Sequence, residues 1–248
     1  MPKIIAANFK SNLTRTAVQE YTKELDAFLA SFASHSANAT DSHTSLKSQP
    51  KVRVFPSATA LLKDDFSHFH LGAQNAYFAQ SGGFTGEITL KQLEEFHITH
   101  LLIGHSERRT LFNESQHFIN EKFRFYKEAG FNVYYCIGEP LQVRQKGKEA
   151  LQDFLKAQLS GIDTNYSKLI VAYEPIWAIG TGVSAELEQI ESTHAMLSTL
   201  TSAPLLYGGS VNATNAKEIL ALPSVNGVLV GSASLDLQSF KDIIRSGI

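Results

Sequence analysis

Three side chains of different chemistry stand just past short apolar runs. Lys10 follows Ile4-Ile5-Ala6-Ala7, His105 follows Leu101-Leu102-Ile103, and Glu174 follows Leu169-Ile170-Val171-Ala172. Brought together, a carboxylate, an imidazole and an ammonium can move a carbon-bound proton. The first takes it, the second hydrogen-bonds the neighbouring carbonyl oxygen, and the third offsets the negative charge of the enediolate that forms. Two glycine turns, Gly208-Gly209-Ser210 and Gly231-Ser232-Ala233-Ser234, follow two further apolar runs. Backbone N–H groups at such turns, with no Cβ in the way, can receive a phosphate, and the first turn is expected to open a helix. The implied chemistry is proton abstraction beside the carbonyl of a phosphorylated substrate, with no metal or nucleotide.

Each feature also has a plainer reading. A Gly-Gly pair is often only a tight turn, and a lone histidine is usually satisfied by backbone groups. His105 lies between an apolar run and an expected helix start, where exposed N–H groups disfavour imidazolium, so the ring is expected to be a neutral donor. Pro175 cannot extend a sheet ladder, so the strand must end at about Glu174 and leave its carboxylate at the sheet's mouth. Ile176-Trp177-Ala178-Ile179 is too apolar for a solvated loop and is bounded by Pro175, Gly180 and Gly182. Two readings stand here: a lid that excludes water, or a loop whose Trp177 fills a groove permanently.

The positioning elements follow from periodicity. Besides the three runs above, apolar runs recur at Val52–Phe55, Leu71–Ala73, Val133–Cys136, Pro204–Tyr207 and Val228–Val230, with helix-period segments between most of them. In the first such segment Val18, Tyr21, Leu25, Phe28, Leu29 and Phe32 share a face, and Thr16 with Gln19 reads as a capping box at its start. Eight strands alternating with helices over 248 residues, without a break in composition, point to a single (β/α)8 barrel spanning 1–248. A doubly wound open sheet is the second architecture. Ser34 to Pro50, rich in Ser and poor in apolar residues, reads as a polar surface loop on the face away from the site.

Composition excludes several function classes. With 22 basic and 24 acidic residues in no long run of either sign, neither a nucleic-acid stripe nor a membrane-surface patch is expected. No stretch approaches the roughly 20 apolar residues of a membrane span, and Met1-Pro2-Lys3-Ile4-Ile5 lacks a signal-peptide layout. A single cysteine, Cys136, fits a reducing, cytoplasmic setting and reads as a packed thiol. His97 and His100 do not make a metal site, since one is expected on a helix, the other at a strand start, and no third ligand is near.

The chain resembles the triosephosphate isomerase family from Asn8 to Leu235. The matching motifs are Asn8-Phe9-Lys10, Gly72-Ala73-Gln74-Asn75, Phe84-Thr85-Gly86-Glu87, Ile103 to Arg109, Cys136-Ile137-Gly138-Glu139, Ala172 to Gly182, Tyr207-Gly208-Gly209-Ser210 and Leu229-Val230-Gly231. The resemblance implies interconversion of dihydroxyacetone phosphate and glyceraldehyde 3-phosphate without a cofactor, with a place in glycolysis, gluconeogenesis and the pentose shunt. It implies Glu174 as base, His105 as electrophile and Lys10 as cationic partner, with Asn8 beside the substrate and Glu107 beside Lys10. Gly180, Ser210, Gly231 and Ser232 would bind phosphate, with Gly208 and Gly209 in support, and Tyr207 would hold the closed lid. It also implies a homodimer in which Phe84-Thr85-Gly86 reaches into the partner's site, with Arg108, Glu87 and Glu114 around that contact.

Some positions depart from the family pattern: Phe9 where Trp is usual, Ser11 where Met is common, Asn226 for Asp, and Ser232 for a glycine. The last bears on phosphate affinity, because serine loses freedom at positive φ. The rivals are another phosphosugar isomerase or lyase on the same barrel, and a phosphosugar-binding protein without turnover.

Overall fold

A computed structural model describes residues 2–37, 49–179 and 185–248 of the protein. Its strands are β1 (Ile4–Asn8), β2 (Lys51–Phe55), β3 (His70–Leu71), β4 (His100–Ile103), β5 (Asn132–Ile137), β6 (Leu169–Tyr173), β7 (Leu205–Tyr207) and β8 (Gly227–Val230). They pair in parallel in the order β3-β2-β1-β8-β7-β6-β5-β4. A parallel bridge between Ala73 and Leu101 joins the two ends of this sheet. An open sheet has two free edges. Here the edges meet, so the architecture is a (β/α)8 barrel.

The helices among the described residues are α1 (Arg15–Ala37), α2 (Leu90–Glu95), α3 (Ser106–Leu111), α4 (Gln116–Glu128), α5 (Leu141–Arg144), α6 (Lys148–Gln158), α7 (Leu187–Leu197), α8 (Ala216–Ala221) and α9 (Leu237–Ser246). Strand alternation divides the core in two, because successive side chains point to opposite faces. Ile4, Ala6, Phe55, Leu102, Tyr134, Cys136, Ile170, Ala172, Leu206 and Leu229 form one cluster, inside the barrel. Their neighbours Ile5, Ala7, Val54, Ile103, Tyr135, Val171 and Val228 belong to the larger cluster that the helices cover. Strands buried on both faces explain why the sequence shows continuous apolar runs rather than alternation.

The structure corrects two expectations about α1. The helix starts at Arg15, and it is Thr14 whose hydroxyl accepts from the Ala17 N–H at 3.3 Å, so Thr14 caps it and Thr16 lies inside the first turn. The helix also runs to Ala37, so Ser34–Ala37, read as the start of the polar loop, are helical. Of the rest of that stretch, 38–48 lie outside the described residues.

His194 on α7 is wholly buried between the rings of Tyr173 and Tyr207, 5.8 and 6.3 Å away. Burial lowers its pKa to about 4, while unfolding restores the ordinary value of 6.5. The unfolded chain therefore binds a proton that the folded chain refuses, and stability falls as pH drops from 6.5 towards 4. At pH 4.5 this costs about 2.5 kcal/mol relative to neutral pH. Urea midpoints of wild type and His194→Gln at pH 7 and 4.5 check it: the variant is expected to lose about 2 kcal/mol less on acidification.

Candidate active site

The C-terminal ends of β1, β4, β6, β7 and β8 open into a cavity of about 350 Å³ lined by Asn8, Lys10, His105, Glu174, Ser210 and Gly231, among others. Lys10 stands two residues past β1 with φ at 50°, the left-handed region that non-glycine residues avoid. Its backbone is held there from both sides. The Lys10 N–H donates to Asn8 Oδ1 at 3.0 Å, and its carbonyl accepts from Gln74 Nε2 at 2.8 Å. Gln74 also donates to the Phe55 carbonyl at 2.8 Å, which ties the first three strand ends together. At the far end of the side chain, Lys10 Nζ donates to Glu107 Oε1 at 2.6 Å. The backbone strain costs about 1–2 kcal/mol and aims an ammonium into the cavity.

His105 is the N-cap of α3, and its Nδ1 accepts from the Glu107 N–H at 3.2 Å. An Nδ1 that accepts cannot carry a proton, so the proton of the neutral ring sits on Nε2. Nε2 stands 3.2 Å from Glu174 Oε1. Burial disfavours the imidazolium, but the Glu174 carboxylate, helped by Glu107, more than offsets it, so the His105 pKa is raised above its ordinary value. The helix-terminus expectation of a neutral ring thus meets an opposing charge. That charge disappears once Glu174 is protonated.

Glu174 follows β6 directly and is buried. Its other oxygen, Oε2, accepts from the Ser106 N–H at 3.5 Å. Two glycines let neighbouring strands approach it. A Cβ on Gly138 would fall 1.7 Å from the Glu174 carbonyl oxygen, and one on Gly208 would fall 2.8 Å from Glu174 Cγ. Cys136 is fully buried, and burial first, then the Glu174 charge, pushes its thiol well above the ordinary range. It remains a protonated, packed thiol, as its apolar setting in the sequence suggests.

The glycine turns differ from expectation. Gly208-Gly209-Ser210 does not open a helix, because α8 begins only at Ala216. The Ser210 hydroxyl donates to the Ala178 carbonyl at 2.7 Å, pinning the turn that follows Glu174. Gly231 instead precedes a single 3-10 turn, Ser232–Ser234, whose backbone sits at negative φ. Serine at 232 therefore meets none of the strain that its departure from glycine suggested.

Ile176–Ala178 forms another 3-10 turn. Trp177 Nε1 and the Tyr173 hydroxyl both donate to Glu139 Oε1, each at 3.0 Å. Glu139 is wholly buried, and burial raises its pKa, opposed by these two donors. Tyr207 has a buried hydroxyl beside Ala185 and Gly209, with no partner of good geometry among the described residues. Gly180 and Gly182, the far end of the expected lid, lie outside the described residues.

Of the other predicted residues, Asn8 is buried against the cavity, and Glu107 is brought to both Lys10 and His105. Thr85 is exposed and does not line this cavity. His97 sits in a turn past α2 rather than on it, paired with Asp65 at 2.7 Å, while His100 starts β4. Sequence reasoning assigned no role to Gln74, Glu139 or Arg109. Arg109 donates to the carbonyls of Gly104 and Cys136 at 2.7 and 3.2 Å, bracing the end of β4, which carries His105, against β5. All three lie inside or beside the quoted motifs, which was the available signal.

Comparison with known proteins adds an independent line. A family model described as triosephosphate isomerase matches residues 3–247. A Helicobacter hepaticus protein named triosephosphate isomerase is 70% identical over 243 residues, 98% of each chain. A like-named Helicobacter pylori protein is 53% identical over 248 residues, 98% of this chain and 99% of its own. Another, from Nitratiruptor, is 51% identical over 243 residues, 98% of this chain and 97% of its own.

Proposed function

The chain belongs to the triosephosphate isomerase family, and from that premise we propose that this isomerase interconverts dihydroxyacetone phosphate and glyceraldehyde 3-phosphate with Glu174, His105 and Lys10 as its catalytic residues. The observation that carries the reading is the meeting of three groups in one cavity: Glu174 Oε1 at 3.2 Å from His105 Nε2, with Lys10 held from behind by Glu107 at 2.6 Å.

The base is held by its own neighbours, His105 Nε2–H and the Ser106 N–H. A substrate carbonyl that accepts from His105 takes one donor away and frees the carboxylate. Glu174 then removes the proton from the carbon beside the carbonyl. As it becomes a neutral acid, it ceases to hold up the His105 pKa, so the imidazole donates as a neutral ring to the enediolate oxygen. Lys10 offsets the developing charge. Return of the proton to the adjacent carbon, with transfer of the hydroxyl proton between the two oxygens, completes an internal oxidation and reduction that requires no outside electron carrier. Gly180, Ser210, Gly231 and Ser232 would hold the phosphate, with Gly208 and Gly209 in support, and Tyr207 would steady the closed loop.

The test is a coupled assay of glyceraldehyde 3-phosphate isomerisation with chelator present, beside titration with 2-phosphoglycolate. Fast turnover is expected; tight binding of phosphoglycolate without turnover would sink the reading in favour of a binding protein.

A second copy of the chain supports the site in this reading. Phe84, Leu111 and Phe112 are 37%, 69% and 61% exposed. Beside Gln74 lies a hole of about 230 Å³ lined by Asn75, Glu87, Ile88 and Arg108. Arg108 and the buried Lys122 both pair with Glu114 at 2.6 Å, giving that wall a fixed form. The loop Phe84-Thr85-Gly86 of a partner would fill the hole and brace Gln74, hence Lys10. Thr85→Arg is therefore expected to sediment as a monomer and to lose about a hundredfold in kcat; a dimeric or fully active variant would refute the arrangement. One barrel domain and a cytoplasmic, glycolytic setting complete the proposal. No helix among the described residues is long and apolar enough to cross a membrane.

A further inference from the structure

On the outer face, α6 and α7 leave a groove of about 370 Å³ between them, as large as the catalytic cavity. Leu151 and Met196 supply apolar surface, and Arg144, Lys148, Gln152 and Thr193 surround it. Among the described residues its lining carries two cations and no carboxylate. An apolar trough whose own lining carries two cations and no carboxylate is complementary to one kind of occupant, a small organic acid with a hydrocarbon body.

The inner cation is also joined to the neighbourhood of the active site. Arg144 Nη1 donates to Thr193 Oγ1 at 3.0 Å and lies 3.9 Å from Glu139 Oε1. Its guanidinium stands 6.0 Å from the ring of Trp177. The same Glu139 oxygen holds Trp177 Nε1 and the Tyr173 hydroxyl, so the arginine faces the anchor of the turn that follows Glu174.

We propose that the α6–α7 groove is a second binding site, for a monocarboxylate with an apolar body, and that Arg144 receives the carboxylate and relays occupancy to Trp177. A carboxylate in the groove competes with Glu139 for the guanidinium. Glu139, deprived of that charge in a fully buried position, takes up a proton more readily, and a protonated carboxyl is a weaker acceptor for the Trp177 N–H. The turn loosens three residues from the base. The effect on rate rests on the isomerase reading; binding and the response of Trp177 do not.

Trp177 is the single tryptophan of the chain, so its emission reports this turn alone. The experiment titrates the full-length protein with 4-phenylbutyrate by calorimetry and by tryptophan emission, with 2-phosphoglycolate saturating the catalytic cavity, and uses 4-phenyl-1-butanol as the uncharged control. Saturable low-millimolar binding is expected, with a shift in Trp177 emission, and at least fivefold weaker binding of the alcohol. Lys148→Glu, an exposed change, is expected to weaken binding by about fivefold while leaving turnover unchanged. Without phosphoglycolate, the saturated groove is expected to slow isomerisation severalfold at any triose phosphate concentration. The site is overturned by the absence of saturation at about 20 mM, by equal binding of the alcohol, by displacement with phosphoglycolate, or by undiminished binding to Lys148→Glu. Binding that leaves Trp177 emission unmoved overturns the relay.

Discussion

Glu174→Gln is expected to lower kcat for triose phosphate isomerisation by about a thousandfold or more, while 2-phosphoglycolate still binds. The amide keeps the shape of the carboxylate and accepts from His105 Nε2, 3.2 Å away in the wild type, but it cannot accept a carbon-bound proton. The loss should fall on kcat rather than KM, because abstraction occurs in the transition state and not on binding. A second consequence separates this account from a merely structural role for Glu174. With the carboxylate charge gone, nothing comparable holds the His105 pKa up against burial, and the pKa is expected to fall. An NMR titration of the His105 ring in wild type and variant checks it. Retention of more than a tenth of wild-type kcat would show that another group is the base.

Lys10→Met is expected to reduce kcat/KM by about a thousandfold, the scale of losing a preorganised charge beside a developing oxyanion. Unlike the first substitution, it should weaken both phosphoglycolate binding and turnover, since an ammonium in the cavity attracts the dianionic substrate as well as the enediolate. Glu107 makes the effect worse. Its Oε1 is held by Lys10 at 2.6 Å, and removal of the cation leaves a carboxylate, 3.7 Å from His105 Nδ1, to repel an incoming phosphate ester. Lys10→Arg should recover little, because the compact ammonium and the planar guanidinium do not share a geometry. Steady-state kinetics beside phosphoglycolate affinities for the two variants decide the matter; an active Lys10→Met enzyme would remove the electrostatic role.

Much of the barrel is legible in the chain because strands buried on both faces write themselves as uninterrupted apolar runs. Val133–Cys136 announces β5, which adds only Asn132 and Ile137. Boundaries set by a single hydrogen bond are less legible. Thr16 with Gln19 and Thr14 with Ala17 are both reasonable helix starts, and only the backbone selects the second. Likewise a polar composition hides the last turn of α1, because serine is a weak helix former and reads locally as loop. In the site, the residues that would touch substrate stand out by type at strand ends. Those that position them do not. Gln74 acts on Lys10 across 64 residues of sequence, and Glu139 on Trp177 across 38. No local pattern carries such a contact.

The left-handed backbone of Lys10 bears on the order of assembly. A single residue in that region relaxes readily when its supports are missing. Its carbonyl is held by Gln74 beyond β3, Gln74 is oriented by Phe55 at the end of β2, and the ammonium is collected by Glu107 beyond β4. These partners arrive from successive strands. A nascent or partly unfolded chain can therefore bury much of its apolar surface and still lack a correctly aimed cation. Competence in this protein is a late property, acquired when the first half of the barrel has closed and lost when that half first opens.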